Sequence, residues 1–232
     1  GGLLTQGTGV LDEVVTGGEL VIVHSAHGRE QQDGTPELAM PLEVPIVALV
    51  DEEAASAAEI VGGSLKHLDR AVILGRASFG KGTVQELHPA SPYGRELALK
   101  LTIAEYRVAG DRKIQSIGVV PDLQLLPVAL GSFEGIAAMY DTERFERARE
   151  LGRTAHLPSA IHETDARAEA AMAKPKLTLR YLAGAQPLGE GEPVELGDPE
   201  VRLAQKVALA LDGKVGRRAQ VEALPGILAG LS

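Results

Sequence analysis

The chain has 232 residues, of which 23 are basic and 32 acidic, so its formal net charge is −9. This acidic balance and the scattered basic residues argue against a nucleic-acid partner. No apolar run of about eighteen residues occurs, so the sequence predicts no membrane-spanning helix, and the absence of cysteine excludes disulfides.

Residues 1–126 alternate between short predicted strands and one clear helix, which is typical of an α/β fold. Apolar runs predict strands at 20–24, 46–50 and 71–74, with a β-rich stretch at 83–108. A turn at 108–112 predicts a further strand at 113–117. An alanine-rich run predicts a helix over 56–65. The polar stretch 27–36 has no periodicity and is predicted to be a loop.

The organisation changes near Pro127, and we place a domain boundary between residues 1–127 and residues 128–232. The second part is predicted to contain helices at 143–151, 166–173 and 200–211, a strand at 176–182 and a Pro/Gly/Glu-rich linker at 184–197. Asp198-Pro199 is typical of a helix start. We expect this mixed extension to pack on the core or to mediate homo-oligomerisation.

Ser56 stands where an apolar strand and a short acidic turn lead into the predicted helix. A side chain at such a helix start is exposed, and free backbone N–H groups there can stabilise an oxyanion. After the next strand, Lys81 lies in the glycine-flanked loop Phe79-Gly80-Lys81-Gly82, and Gln85 follows. Ser56 by itself would be interpreted as a helix N-cap, but the three residues together predict a Ser–Lys peptidase site.

The chemistry of a Ser–Lys site explains why these residue types matter. A serine hydroxyl is a weak nucleophile until a base removes its proton. A lysine can be that base only when its amine is neutral, which requires burial to lower a pKa that is ordinarily about 10.4. We expect Gly80 and Gly82 to let the loop tuck the amine inward. Gln85 is uncharged and can orient the amine.

These segments resemble the carboxyl-terminal processing peptidases, also called tail-specific proteases, a family of serine peptidases with a Ser–Lys dyad. Residues 51–59 (DEEAASAAE) are similar to the family pattern Asn-Glu-Gly-Ser-Ala-Ser-Ala-Ser-Glu, and residues 79–85 (FGKGTVQ) match the pattern Phe-Gly-Lys-Gly-(Ser/Thr)-Val-Gln in full. The resemblance implies that Ser56 is the nucleophile, Lys81 the general base and Gln85 the residue that positions the lysine.

Some departures from the family pattern bear on the chemistry of the site. Ala54 and Ala58 replace the flanking serines, so Ser56 alone remains. A family acidic position eleven residues after the nucleophile falls on His67, with Asp69 close by, so a role for that carboxylate is not carried over to this chain.

The resemblance covers residues 1–126 and extends to both sides of the site. Gly1-Gly2-Leu3-Leu4 resembles the end of a family segment and implies an oxyanion hole made by the backbone amides of Gly2 and Ala57. Residues 97–102, 110–115 and 118–122 (GVVPD) resemble the strand, hairpin and ending that follow the lysine loop. The implied fold is a crotonase/ClpP-like α/β core.

The resemblance also implies the setting of the protein. It implies protein or peptide substrates, no cofactor, and a periplasmic or otherwise extracytoplasmic location. Because the sequence begins inside a family motif, we expect further chain upstream, with a PDZ module that binds substrate carboxyl ends.

Other site chemistries fit the residues less well. A Ser–His–Asp triad would need a histidine partner, but His24 and His27 lie in a polar loop, and His67 and His88 lack a partner pattern. Residues 75–82 (GRASFGKG) are similar to a phosphate-binding loop, yet a glycine stands where Ser or Thr must bind magnesium and no helical stretch follows.

No metal site is predicted. Glu52, Glu53 and Glu59 are interpreted as a solvated turn and a helix-dipole partner, since no cluster has ligand spacing.

Two alternatives to a peptidase remain open at the level of function. A catalytically silent scaffold of the same fold would not need the serine, lysine and glutamine together, and an acyl-CoA enzyme of the crotonase type would not need them at these positions.

Overall fold

Two β-sheets and four helices form a mixed α/β fold in the computed structural model, which describes residues 1–37, 40–90, 97–130, 138–140, 175–182 and 198–231. The strands are β1 Gly18–Ser25, β2 Gly28–Gly34, β3 Ile46–Val50, β4 Ala71–Gly75, β5 Thr83–Ala90, β6 Leu97–Val108, β7 Arg112–Lys113, β8 Leu123–Leu130, β9 Ala138–Tyr140 and β10 Leu177–Leu182. The helices are α1 Leu4–Asp12, α2 Ala57–His67, α3 Pro199–Ala210 and α4 Arg217–Gly230.

The two sheets differ in strand direction. The first sheet is antiparallel, with strand order β2-β1-β6-β5 and β7 added beside β6. The second has the order β10-β8-β4-β3 with parallel pairing, and β9 joins β8 in antiparallel fashion. Because β3 and β4 are parallel neighbours, they require a crossover connection, and α2 supplies it. The nucleophile candidate lies at the start of this crossover helix.

Strand β4 lies at the centre of the hydrophobic core, and all of its residues are buried. Side chains alternate between the two faces of a strand. Ala71 and Ile73 accordingly face a cluster formed with α1, α2 and β1, whereas Val72 and Leu74 face a second cluster formed with α3 and α4. The second sheet is therefore covered by helices on both faces. This explains why β3 and β4 are continuously aliphatic instead of alternating between apolar and polar residues.

The described parts of the predicted extension share this core. Strand β8 runs across the predicted boundary after residue 127, and β10 pairs with it in parallel. Buried side chains of α3, of the residue that ends it and of α4 pack on the sheet at Ala204, Val207, Leu211, Val221 and Leu224. The division of the chain into two domains stays a prediction, while the contact between the two parts is a feature of the structure.

Most of the predicted elements are found close to their predicted bounds. The strands at 20–24, 46–50, 71–74 and 176–182 correspond to β1, β3, β4 and β10, and the helices at 56–65 and 200–211 correspond to α2 and α3. Asp198 caps α3 by accepting a hydrogen bond from the amide of Glu200 at 2.8 Å. The predicted helices at 143–151 and 166–173 and the linker at 184–197 lie outside the described residues.

Two element predictions were wrong. The stretch 27–36 is not a loop, because β2 occupies Gly28–Gly34 and pairs with β1. Its side chains are almost all exposed, so no apolar alternation marks it as a strand. The predicted strand at 113–117 is reduced to β7, and the chain then turns back, with the amide of Gly118 donating to the carbonyl of Ile114 at 2.9 Å.

Two helices, α1 and α4, had not been predicted. Two glycines interrupt α1, and α4 contains Pro225 and Gly226, all of which are poor helix formers. None of the helices in the described ranges is long and apolar enough to cross a membrane.

Gly75, at the end of β4, allows β4 and β3 to approach each other just before the candidate site. It has φ +115°, and a Cβ at this position would lie 2.0 Å from the carbonyl oxygen of Val50. We expect Gly75→Ala to lower the free energy of unfolding by about 3 kcal/mol, because the costs of a strained backbone and of a steric clash add together. Chemical denaturation of the purified variant measures the change.

The matched control for this prediction is Gly226→Ala in α4. Apart from the adjoining residues and backbone of α4 itself, no atom would lie within 4 Å of a Cβ there, and alanine is the better helix former by about 1 kcal/mol. We expect this second variant to be as stable as the parent or more so. Equal stability of the two variants would contradict the assigned role of Gly75.

Candidate active site

Ser56 lies between the acidic turn after β3 and the first residue of α2. It is the N-cap residue of that helix, as its local sequence indicated, and it is partly buried. Its φ of +60° is unusual for a residue with a side chain. Such backbone conformations persist only where the surroundings hold them in place, and they are frequent at functional sites. The strand–turn–helix arrangement predicted from the sequence is confirmed.

Backbone hydrogen bonds hold the segment after β4 against the turn before Ser56. The amide of Arg76 donates to the carbonyl of Val50 at 2.8 Å, and the amide of Phe79 donates to the carbonyl of Ala54 at 3.0 Å. We call this pair of adjacent segments, residues 50–56 and 75–81, the seam. It brings the loop that carries Lys81 alongside the loop that carries Ser56.

A single buried carboxylate, that of Glu59, binds both sides of the seam. One oxygen, Oε2, accepts hydrogen bonds from the backbone amides of Ser56 at 2.9 Å and Lys81 at 2.8 Å. The other, Oε1, accepts from the Ser78 hydroxyl at 2.5 Å and from the Gly80 amide at 2.6 Å. The amides of Ser56 and Lys81 therefore lie within two hydrogen-bond lengths of each other.

Glu59 had been interpreted only as a helix-dipole partner, and this interpretation was incomplete. The residue does lie in the first turn of α2, where an acidic side chain is favourable. However, it is fully buried, and its four hydrogen bonds satisfy a carboxylate that would otherwise be costly to bury. The family pattern contains this glutamate, so the sequence marked the residue. The pattern did not indicate that its carboxylate binds the loop that carries Lys81.

We expect Glu59→Gln to lower the free energy of unfolding by about 2–5 kcal/mol and to reduce any activity of the site. A glutamine amide presents donor hydrogens where two backbone or hydroxyl donors now point, and each buried donor left unsatisfied costs about 1–3 kcal/mol. Thermal unfolding and chemical denaturation measure the loss.

Glu53→Gln is the control for this variant, since Glu53 lies in the turn before Ser56 and is exposed. We expect that variant to have the stability of the parent. Parent-like stability of Glu59→Gln would show that the four hydrogen bonds contribute little to holding the seam.

Lys81 follows Gly80 in the predicted glycine-flanked loop and is partly buried. Gly80 has φ +87°, a conformation that favours glycine. The amide of Gly82 donates to the side-chain oxygen of Gln115 at 2.7 Å, and the carbonyl of Gly80 accepts from the amide of Ser116 at 2.8 Å. The loop is therefore held from both sides, by Glu59 and by the turn at 114–118.

Gln85 lies on β5, beyond the loop. It is exposed, it stands at an irregularity in the pairing with β6, and its amide nitrogen is 3.5 Å from the Thr102 hydroxyl. This neighbour does not test the role predicted for Gln85, which stays a prediction.

The N-terminal glycines lie beside the Ser56 turn. A Cβ on Gly1 would be 3.2 Å from the carbonyl oxygen of Ala55 and 3.9 Å from Cβ of Ser56. Helix α1 follows and crosses the start of α2, where Gly7 approaches the buried Ala57. The segment containing Gly2 is thus adjacent to the turn that carries Ser56, and the assignment of the Gly2 and Ala57 amides to an oxyanion hole stays a prediction.

The acidic residues near the end of α2 have structural partners. Asp69 accepts a hydrogen bond from the amide of Arg218 at 3.0 Å, at the start of α4. Asp122 is buried, accepts from the amide of Ile73 at 3.0 Å and pairs with Arg217 and Lys66. Burial lowers the pKa of the Lys66 ammonium, and Asp122 opposes that shift. These carboxylates join α2, β4 and α4.

The competing site chemistries find no support in the described residues. His24 hydrogen-bonds with Asp111 at 3.1 Å, and His88 lies 3.7 Å from Glu86 on the exposed part of β5. A strand rather than a helix follows the Gly80-Lys81-Gly82 loop, which disfavours a phosphate-binding loop. Within the described ranges, no group of three or more His, Cys, Asp or Glu side chains is arranged to hold a metal ion.

A serine at the start of a βαβ crossover helix, next to a glycine-flanked lysine loop, is the arrangement that the sequence resemblance implied. The model of peptidase family S41 matches residues 1–125, more than half of the chain. The chain therefore belongs to peptidase family S41.

Individual relatives agree with this assignment. A carboxy-terminal-processing protease of Bartonella bacilliformis is 42% identical over 127 residues, covering 53% of this chain and 28% of the relative. A chloroplastic C-terminal processing peptidase of Tetradesmus obliquus is 32% identical, covering 63% of this chain and 31% of the relative. The chain thus spans less than a third of each of these two relatives.

Among solved structures, a photosystem II D1 C-terminal processing protease matches with 32% identity and a TM-score of 0.47, over 53% of this chain and 31% of that one.

Proposed function

We propose that this chain forms the core of a serine endopeptidase that cleaves proteins near their carboxyl termini, with Ser56 as nucleophile and Lys81 as general base. Membership of peptidase family S41 supports the reaction class. The observation that carries the residue assignment is the shared carboxylate oxygen of Glu59, which binds the backbone amides of Ser56 and Lys81 and so places the two loops side by side.

In the proposed mechanism, the Ser56 oxygen attacks the scissile carbonyl carbon while the Lys81 amine takes the proton of the Ser56 hydroxyl. The backbone amides of Gly2 and Ala57 stabilise the resulting oxyanion. Collapse of the tetrahedral intermediate breaks the C–N bond, and Lys81 returns the proton to the leaving amine. Lys81 then deprotonates a water molecule that attacks the acyl carbon, and it returns that proton to the Ser56 oxygen as the acyl C–O bond breaks.

Two local features support a nucleophile at this position. The strained φ of Ser56 projects a side chain from a turn that Glu59, Ala54 and Phe79 hold in place. The backbone amide of Ala57 lies in the first turn of α2, where N–H groups lack helical partners and are available to an anion. Gln85 would orient the lysine amine without adding charge.

The finer parts of the proposal concern fold, setting and substrate delivery. We place the fold with crotonase/ClpP-like cores and the protein in an extracytoplasmic compartment, the periplasm in a bacterium. Relatives named for carboxy-terminal processing, from a bacterium and from a chloroplast, support this setting. Substrates would be proteins or peptides, delivered by a PDZ module upstream of residue 1.

Active-site labelling of the full-length protein tests the proposed function. We expect a fluorophosphonate to form one covalent adduct, which peptide mapping by mass spectrometry assigns to the tryptic peptide containing Ser56. The unlabelled protein should also release a short carboxyl-terminal fragment from an unfolded substrate, and labelling should abolish that release. A scaffold or an acyl-CoA enzyme would give no Ser56 adduct, and that result would refute the proposal.

A further inference from the structure

Four polar side chains join the C-terminal segment to the turn that precedes Ser56. Arg76 donates from Nε to Glu52 at 2.7 Å and from Nη1 to Oε1 of Glu200, and the Tyr181 hydroxyl donates to the same Glu200 oxygen at 2.6 Å. We call these four residues the Arg76 cluster. Glu52 belongs to the seam, whereas Tyr181 and Glu200 belong to β10 and α3.

The cluster is largely withdrawn from solvent. The side chains of Arg76, Glu52 and Glu200 are 16%, 19% and 13% exposed. Burial opposes the charge on Arg76, but its bonds to the two carboxylates outweigh that effect and raise the pKa of the guanidinium. Removing one partner of such a partly buried ion pair lowers the stability of the folded protein strongly, because the remaining charge keeps its desolvation cost.

Arg76 separates two like charges that the fold brings together. A planar guanidinium presents several donors in a fixed geometry, so one arginine can bind two carboxylates at once. Without Glu200, Arg76 would lose one of the carboxylates that bind it among the described residues. Without Arg76, Glu52 and Glu200 would face each other as neighbouring anions. The docking of α3 therefore contributes, through Arg76, to the position of the Glu52 turn.

The Glu52 turn leads directly to the nucleophile. Asp51 fixes this turn by accepting hydrogen bonds from the amides of Glu53 at 3.1 Å and Ala54 at 2.9 Å. Ser56 follows after one further residue in its strained conformation. Glu59 holds the seam at its Lys81 end, and the Arg76 cluster holds it at the end nearer β3 and β4.

We propose that Arg76, Glu52, Glu200 and Tyr181 are positioning residues for Ser56, so that β10 and α3 form part of the peptidase site although they lie outside the region that the family model matches. The inference rests on the proposed function of Ser56. The C-terminal segment thereby has a role in holding the turn before Ser56, because it supplies Glu200 and Tyr181, which are distant from Ser56 in the sequence.

The test compares Glu200→Gln and Tyr181→Phe with the parent in the full-length protein. Each change removes one part of the cluster, a charge or a hydroxyl, with almost no change of volume. We expect Glu200→Gln to lower the rate constant of fluorophosphonate labelling at Ser56, and kcat on a peptide, on the order of tenfold, with KM nearly unchanged. Tyr181→Phe should give a smaller loss in the same direction. Lys206→Ala, at an exposed position of α3, is the control and should match the parent.

Two additional measurements separate positioning from a merely structural role. Hydrogen exchange of the peptide covering residues 50–56 should be faster in Glu200→Gln than in Lys206→Ala, and this holds whether or not Ser56 reacts. Arg76→Lys keeps the charge but offers one nitrogen for two carboxylates, so it should recover only part of the labelling lost in Arg76→Met. Thermal unfolding of every variant reports whether it is folded.

The outcomes are distinguishable from failure of the proposed function. Absence of Ser56 labelling in the parent would refute the peptidase assignment, and the exchange measurement would still decide whether the cluster positions the turn. Parent-like labelling, kcat and exchange in Glu200→Gln would overturn the inference. A lower melting temperature with unchanged labelling and exchange would likewise reduce the cluster to a structural contact.

Discussion

Ser56→Ala in the full-length protein is expected to lower peptide hydrolysis by several orders of magnitude while the fold stays intact. The substitution removes only the hydroxyl oxygen that would attack the substrate, and loss of a nucleophile in such a site reduces turnover on the order of a millionfold. The hydrogen bond from the Ser56 amide to Glu59 uses a backbone group and is retained. Steady-state hydrolysis and circular dichroism of the two proteins measure both parts of the expectation.

Ser64→Ala is the matched control, since Ser64 lies on the same helix and has a purely structural partner set. Its hydroxyl donates to the carbonyl of Leu20 at 2.6 Å and accepts from the amide of Ala109 at 3.2 Å. We expect that variant to lose stability but to keep labelling at Ser56. Retained turnover in Ser56→Ala would mean that another group is the nucleophile.

The local pattern around the candidate site could be predicted from the sequence because its signals are short-range. The apolar run 46–50, the alanine-rich run after Ser56 and the glycines around Lys81 each favour one conformation over a few residues. The structure confirms the strand, the helix and the loop at these positions. The relative placement of Ser56 and Lys81 followed from the family pattern and not from periodicity.

The contacts that hold the site together could not be predicted, because they join segments distant in sequence. Glu59 is an ordinary first-turn acid until the loop at 78–81 packs over it. Glu52 was interpreted as part of a solvated turn, but its side chain is only 19% exposed and pairs with Arg76. Nothing in the local sequence of Glu200 indicates that it binds Arg76.

The missed elements have a different physical cause. β2 gives no apolar alternation, because its residues are exposed and its stability comes from backbone pairing with β1. Helices α1 and α4 contain glycine and proline, which have low helix propensity, so packing of Leu11, Val221 and Leu224 on the core must compensate. Tertiary contacts override local propensity in all three segments.

A lysine that acts as a base must be neutral, so a permanent cation cannot replace it, whereas a purely electrostatic role for Lys81 needs only the positive charge. Lys81→Arg is therefore expected to be as inactive as Lys81→Ala, because a guanidinium does not lose its proton near neutral pH. Both substitutions keep the backbone amide of residue 81, which donates to Glu59, so the loop should remain in place. Hydrolysis rates, fluorophosphonate labelling at Ser56 and thermal unfolding, measured on both variants, give the comparison.

Gln85→Ala is the companion variant and should cost less activity than either change at Lys81, since the glutamine would orient the amine and transfer no proton. Its exposed position on β5 makes a large loss of stability unexpected. If Lys81→Arg kept the turnover of the parent while Lys81→Ala lost it, positive charge alone would be sufficient at this position. Lys81 would then act as an electrostatic partner, and the group that takes the Ser56 proton would have to lie elsewhere in the site.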